Sequence, residues 1–320
     1  MSLDLSDTLV IGISATALFD LREAQAFFEQ RQGASPATAV ADYRAWMRER
    51  EQQPLADGTG MPLVRALLAL NARQPAGEAP LVEVVVMSRN SPETGVAVFN
   101  NIRRLGLPVT RHAFTGGESV VDYLAAFDVS LFLTTHAQDA QRVIDEGNCA
   151  VALLREPPAD AAPVPAGQVR IAFDGDAVLF DESSELVYKT EGLAAFHRNE
   201  DAQRDVPMAE GPYAVFLRKL ARLQARMAAL LPAGTPSPVR IAIVTARSAP
   251  AELRVINTLR HWGVEVDEVF FLGGLTKARI LKAFRPHIFF DDQDVHLDAA
   301  ARAVSSGKVP WRSDSPLKAN

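Results

Sequence analysis

The stretch VRIAFDGDAVLFDES, residues 169–183, runs through a short apolar strand pattern and stops on two carboxylates, Asp174 and Asp176, with one glycine between them. Two like charges that close disfavour each other's ionised form, so folding alone gives no reason to place them together. A run that is apolar at nearly every position reads as a strand buried on both faces, as in parallel sheets. In open parallel sheets, ligand sites form beyond the carboxyl ends of the strands. The stretch therefore predicts a covered α/β sheet with a polar site at one strand end.

The same strand pattern recurs along the chain. TLVIGIS, LVEVVVMS, DVSLFLTT, CAVALL, VRIAIVT, EVFFL and HIFFDD all read as buried strands. Helical patterns lie between them. One is VFLRKLARLQARMAALL (215–231), which sets Phe216, Leu220, Leu223, Met227 and Leu230 on one face. Strands alternating with helices predict an α/β fold, with Rossmann-like parallel sheets and flanking helices. The clearest break is REPPADAAPVPAGQ (155–168), rich in proline and alanine and without periodicity. It divides the chain into an N-terminal domain (1–156), a linker (157–168) and a C-terminal domain (169–320).

The bounds agree with a compact enzyme or binding protein. The 320 residues are 48% apolar, enough for a large core, and the formal net charge of −6 comes without a basic block. No polycationic surface is expected, which argues against a nucleic-acid partner. A single cysteine, Cys149, excludes an internal disulfide and fits a reducing compartment. The N-terminus lacks the pattern of a signal peptide, and no run reaches the roughly 18 apolar residues of a membrane span. The expectation is a soluble cytoplasmic protein with no membrane partner.

The two parts of the chain also resemble each other. Pairing Ser91 with Ser248 sets an offset of 248 − 91 = 157 positions, which also pairs Asn100 with Asn257, Arg103 with Arg260, Gly106 with Gly263 and Gly117 with Gly274. The register continues without a gap to Phe127 and Phe284. Upstream, SATALFD (14–20) matches DGDAVLFD (174–181) with one residue missing, and PLADG (54–58) echoes PMAEG (207–211). Paired glycines at loop positions in one register predict two related tandem domains.

The polar groups that suggest chemistry sit in the second copy only. Asp174 and Asp176 follow one strand, Thr245 ends another, Lys277 opens a helix, and Asp291 and Asp292 end HIFF. Each has a plain explanation when taken alone: a solvated turn, a helix cap, a surface lysine, capping acids. Together they suit phosphoryl transfer. One carboxylate can attack phosphorus, a second can move the leaving group's proton, and magnesium accepts oxygen ligands while offsetting their repulsion. A hydroxyl, an ammonium and loop N–H groups stabilise the charge on the phosphoryl oxygens. GGLTK is not a nucleotide-binding P-loop, because its lysine spacing is wrong. The six histidines show no zinc spacing, and His287 and His296 are read as structural.

FDGDAVLFD, VTARS, GGLTKARIL and RPHIFFDDQ resemble the four motifs of the haloacid dehalogenase-like hydrolases. More narrowly, AFDGDAVLFDESSE, EGP, IVTARSAPAELRVINTLRHWGVEVDEVFFLGG and RPHIFFDDQDVH are similar to the cytosolic 5′-nucleotidase I family. ALFDL, VVVMSRNS, GVAVFNNI, TGGES and IDEGNCA carry the resemblance into the first half. It implies Mg2+-dependent hydrolysis of nucleoside 5′-monophosphates such as AMP, through an aspartyl-phosphate, by a cytoplasmic homo-oligomer. It implies Asp174 as nucleophile and Asp176 as general acid/base, with Asp174, Asp176 (by its carbonyl) and Asp291 as metal ligands and Asp292 in support. Thr245, the N–H of Ala246 and Lys277 would bind phosphate. Arg247 is assigned to substrate contact from its position beside the phosphate loop. A helical cap is expected within about 182–238.

At the matching positions the first half has Ser14 and Thr16, Val120, and Thr134 and Thr135 in place of the acids and the lysine; only Ser88, opposite Thr245, keeps its type. The first half is therefore expected to be a non-catalytic copy, serving as a packing partner, a regulatory nucleotide site or part of the substrate pocket. Alternatives to the 5′-nucleotidase reading are a phosphatase for another small phosphate ester and a nucleotide-sensing or scaffold protein. The tail WRSDSPLKAN (311–320) is expected to be loose.

Overall fold

The structure, a computed structural model, describes residues 5, 7–75, 77–232 and 234–319. In the first half, β1 (Leu9–Ile13) is followed by α1 (Ala15–Leu18), α2 (Arg22–Ala34), α3 (Ala39–Glu49) and α4 (Met61–Ala69). Next come β2 (Val82–Ser88), α5 (Val96–Arg104), β3 (Arg111–Phe114), β4 (Leu131–Thr134), α6 (Ala137–Glu146) and β5 (Ala150–Leu154). In the second half, β6 (Val169–Phe173) is followed by a single wide turn, Gly175–Leu179, then α7 (Ser183–Glu191), α8 (Leu193–Ala202) and α9 (Ala214–Ala229). The rest is β7 (Val239–Thr245), α10 (Glu252–His261), β8 (Glu268–Phe271), α11 (Lys277–Phe284), β9 (Ile288–Asp291), α12 (Asp294–Ala300) and β10 (Ser306–Lys308). The stretch 157–168 carries neither helix nor strand.

The ten strands of the described residues belong to one sheet, in the order β3-β2-β1-β4-β5-β10-β9-β6-β7-β8. The sequence predicts Rossmann-like parallel sheets in two tandem domains, and the structure joins their strands in one. The single sheet arises because β10 runs parallel to β9 but antiparallel to β5, with Gly307 opposite Leu154. An exposed strand edge offers unpaired backbone groups, and this pairing covers one edge of each half. Every other strand pair is parallel. The eight apolar runs read from the sequence all lie in strands. β3 and β10 escape the apolar pattern because RHAF is a half-buried edge and SGK is three residues long.

The halves correspond element by element. β2, β3 and β4 (82–88, 111–114 and 131–134) lie 239 − 82 = 157 positions before β7, β8 and β9 (239–245, 268–271 and 288–291). The missing residue is also visible. In α1 the N–H of Phe19 reaches the carbonyl of Ala15, an ordinary α-turn, whereas the N–H of Phe180 reaches back to Gly175. The wider turn places Ala177 at φ 58, a left-handed conformation that costs an L-residue roughly 1–2 kcal/mol.

The packing crosses between the halves. α4 leans on β6, and α9 leans on β1. One buried cluster holds Ile11, Ile13 and Val64 together with Ile171, Phe216 and Leu220. In α9, Phe216, Leu217, Leu220, Leu223 and Met227 are buried. Leu230, expected on the same face, follows the last helical residue and is 42% exposed. Because α9 packs into this core, it is no part of a cover over the site. Within 182–238, α7 and α8 carry the side chains that reach the acid end of the sheet, Glu185 toward Gln293 and Glu200 toward Arg247.

Candidate active site

Within the sheet, β6 lies between β9 and β7, so three strands end side by side with Asp174, Asp291 and Thr245. Lys277, at the first position of α11, reaches between the acids. Its Nζ lies 2.8 Å from Asp174 Oδ1 and 2.7 Å from Asp291 Oδ2. Asp174 Oδ1 also accepts the Gly175 N–H at 2.7 Å, and Asp291 Oδ1 accepts the Gln293 N–H at 2.8 Å. Asp174, Lys277, Asp291, Asp292 and Thr245 are all buried.

Burial makes this cluster electrostatically tense. Desolvation, countered by Lys277 and aided by the neighbouring Asp291, pushes Asp174 up to about 6. Asp291 and Asp292 are raised as well, chiefly by burial. Burial works against charge on Lys277, but Asp174 and Asp291 outweigh it and hold the ammonium above the ordinary lysine value. One cation thus faces several carboxylates, which calls for further positive charge.

The residues present fit a hard metal ion. Asp174, Asp291 and Asp292 each offer an oxygen within 4.8 Å of the others. Asp292 Oδ1 is buried with no hydrogen-bond partner among the described residues, while Oδ2 accepts the Trp311 indole N–H at 2.7 Å. A buried orphan acceptor in an all-oxygen set is what an oxygen-seeking divalent cation satisfies. Asp292, expected only in support, thus stands with the candidate ligands. The Asp176 carboxylate lies outside this group.

Asp176 is instead held by Arg247, whose Nε and Nη2 donate to its two oxygens at 2.8 and 2.6 Å. Arg247 also pairs with Glu200 on α8, and Glu200 accepts from Arg254 at 2.8 Å and from Ser184 at 2.9 Å. The Arg247 guanidinium is buried, lies 5.2 Å from the Phe196 ring centre, and donates to the two carboxylates and, at 3.2 Å, to Met208 Sδ. Arg247, assigned to substrate contact from the sequence, meets carboxylates in this arrangement. Its role is to tie Asp176 to the α7–α8 pair. Thr245 Oγ1 accepts the Arg247 N–H at 3.2 Å, and the Ala246 N–H has no partner among the described residues. The structure so brings together every residue expected at the site.

Three participants escaped the sequence reading. Glu200 is fully buried, yet on paper it is one polar residue in an amphipathic helix. Glu185 of α7 lies 3.3 Å from Gln293 Nε2 and is pushed up by burial and by Asp176 and Asp174. Trp311 belongs to the tail expected to be loose, but that tail is packed. Besides the bond to Asp292, Ser313 bonds Asp145, Lys318 bonds Gln141, and Leu317 is buried. A tail without periodicity reads as loose, and only its tertiary partners, Asp292 and the distant Asp145 and Gln141, reveal its anchoring. His287 is structural, accepting the Arg170 N–H at 3.0 Å; His296 borders the site, within electrostatic reach of Lys277 and Asp174.

The profile of the 5′-nucleotidase family matches residues 1–316. The chain belongs to the 5′-nucleotidase family. Human cytosolic 5′-nucleotidase 1B is 36% identical over 307 residues, covering 93% of this chain and 48% of that protein. This supports the cytosolic 5′-nucleotidase I family named from the motifs, and the chain spans about half the length of that relative. No solved structure matches the chain. In this 5′-nucleotidase family member, no described helix is long and apolar enough to cross a membrane.

Proposed function

We propose that the protein is a Mg2+-dependent 5′-nucleotidase that hydrolyses nucleoside 5′-monophosphates of the AMP type to nucleoside and phosphate. The observation that carries this reading is the buried cluster of Asp174, Asp291 and Asp292 bridged by Lys277, with a hydroxyl and a free N–H on the adjoining strand. Membership of the 5′-nucleotidase family supports the leaving group.

In this mechanism Asp174 attacks phosphorus through Oδ2, since Oδ1 is engaged by Lys277 and Gly175. The P–O5′ bond breaks, and Asp176 gives its proton to the departing oxygen. Asp176 then takes a proton from a water that attacks the aspartyl-phosphate, releasing phosphate and restoring Asp174. Thr245, the Ala246 N–H and Lys277 hold the phosphoryl oxygens. Asp174, Asp291, Asp292 and the Asp176 carbonyl would hold Mg2+, which would supply charge neutralisation at the phosphate. The α7–α8 pair covers the site and excludes bulk water while the nucleotide is bound, leaving room for the one water that Asp176 activates. In this reading residues 169–320 are the catalytic unit and 1–156 a degenerate copy.

The test is phosphate release from a panel of nucleotides and sugar phosphates, with and without Mg2+. Release from nucleoside monophosphates that needs Mg2+ and disappears in Asp174→Asn is expected. Release from sugar phosphates alone would replace the substrate, and turnover in Asp174→Asn would remove the nucleophile from Asp174.

A further inference from the structure

The carboxyl ends of β1, β2 and β4 open on a cavity of about 200 Å³. It occupies the place in the first half that the acid cluster occupies in the second. Ser14, Thr16, Ser88, Thr134, Thr135 and Tyr43 line it. Ser14, Thr16 and Thr135 satisfy one another, with hydroxyl contacts of 3.1 and 2.5 Å. Ser88 and Thr134 do not. Ser88 Oγ accepts the Asn90 N–H at 3.2 Å, and Thr134 Oγ1 accepts the His136 N–H at 3.0 Å. These are the counterparts of the bonds made by Thr245 and Asp291. A hydroxyl that accepts still carries a proton to donate, and among the described residues neither proton has an acceptor. Both residues are buried, Thr134 completely. Leaving such a donor unmet in a buried site is unfavourable, and a ligand acceptor removes that cost. The Arg89 N–H, the counterpart of the Ala246 N–H, also has no partner there.

Two buried hydroxyl donors and a loop N–H converge on this cavity, and its lining holds no free carboxylate. Asp139 is occupied by Arg89 at 2.9 and 2.5 Å and by Ser119 at 3.2 Å. Donors without a competing negative charge select an anion with several acceptor oxygens. The rings of Phe28 and Tyr43, 5.3 Å apart, form an aromatic wall suited to a planar base. We propose that the first half binds the phosphate group of a nucleoside monophosphate in this cavity, without a metal and without hydrolysis. The replacement of the acids by hydroxyls removes both the need for a cation and the nucleophile. The proposal stands apart from the catalytic reading, since it concerns binding in EDTA rather than turnover.

The experiment is calorimetric titration of the full chain in EDTA with AMP, inorganic phosphate and adenosine, beside a Mg2+-dependent turnover assay. One AMP per chain should bind, phosphate should compete for it, and adenosine should bind at least tenfold more weakly. The double variant Ser88→Ala, Thr134→Val should weaken AMP binding by roughly tenfold or more while turnover changes less than threefold. Thr245→Val, which alters the catalytic phosphate site, should leave binding in EDTA intact. Absence of binding in EDTA, loss of it in Thr245→Val, or adenosine binding as tightly as AMP would overturn the proposal. Should the double variant fail to fold by circular dichroism, the native chain and Thr245→Val still decide.

Discussion

At the scale of single residues, Arg247 is where the structure most alters the reading. A guanidinium presents a planar fork that matches a carboxylate with two parallel bonds, and an ammonium does not. Arg247 uses that fork on Asp176 and a further nitrogen on Glu200. Arg247→Lys keeps the charge but loses the fork, so Asp176 loses its fixed orientation and, as the proposed acid, its aim at the leaving oxygen. Steady-state kinetics should show kcat lowered about tenfold or more with KM changed only a few-fold. An equal rise in KM at unchanged kcat would restore Arg247 to substrate binding. His287 makes a prediction for pH. Burial depresses it to about 4, so between that value and the ordinary 6.5 the unfolded chain binds a proton that the folded chain does not. Stability from this group is full above pH 6.5 and is lost as pH falls toward 4, by about 3 kcal/mol in all. In His287→Asn, urea unfolding at pH 7 and pH 5 should show a smaller loss of stability on acidification than in the native chain.

At the scale of elements, the turns after β1 and β6 differ by one residue, and only the second carries the two acids. Each turn is clamped by a short antiparallel bridge, Phe19 with Asp57 and Phe180 with Glu210. The echo of PLADG and PMAEG marks these two clamps. Beside each clamp a glycine sits against carbonyl oxygens: a Cβ on Gly58 would come within 2.5 Å of Ala17 O, and one on Gly211 within 2.3 Å of Phe180 O. Overpacking against backbone costs roughly 1–3 kcal/mol. Gly58→Ala and Gly211→Ala should each lower the melting temperature by about 5 °C in calorimetry. Only Gly211→Ala should also depress turnover, because its clamp holds the turn that carries Asp176. Equal losses of activity in both would separate the clamp from the chemistry.

At the scale of the molecule, the halves share one sheet and one core. The seam between β5 and β10, the crossing of α4 onto β6 and α9 onto β1, and the Tyr213 hydroxyl bonded to Val151 O at 2.9 Å all span it. Arg155 joins α12 through Asp294 and, at 2.8 Å, Asp298. A fragment of residues 157–320 would expose the strand edge of β10 and the apolar faces beneath α4 and β1. It should aggregate or lack a cooperative melting transition, while the full chain melts in one step. A soluble, cooperatively folding fragment would show that the second half needs no partner.

Much of this was legible in the amino-acid order, because strand burial, the 157-position register and the acids at strand ends are local patterns repeated along one chain. The order alone placed Asp174, Asp176, Thr245, Lys277 and Asp291 at strand and helix ends, and marked the first half as lacking their counterparts. Tertiary structure alone decided three things: that Arg247 turns to Asp176 rather than to the cleft, that Trp311 reaches back to Asp292, and that two halves close into one sheet. Each depends on a pairing between segments that are not neighbours in the chain, and such pairings leave no period in the sequence for a reader to find.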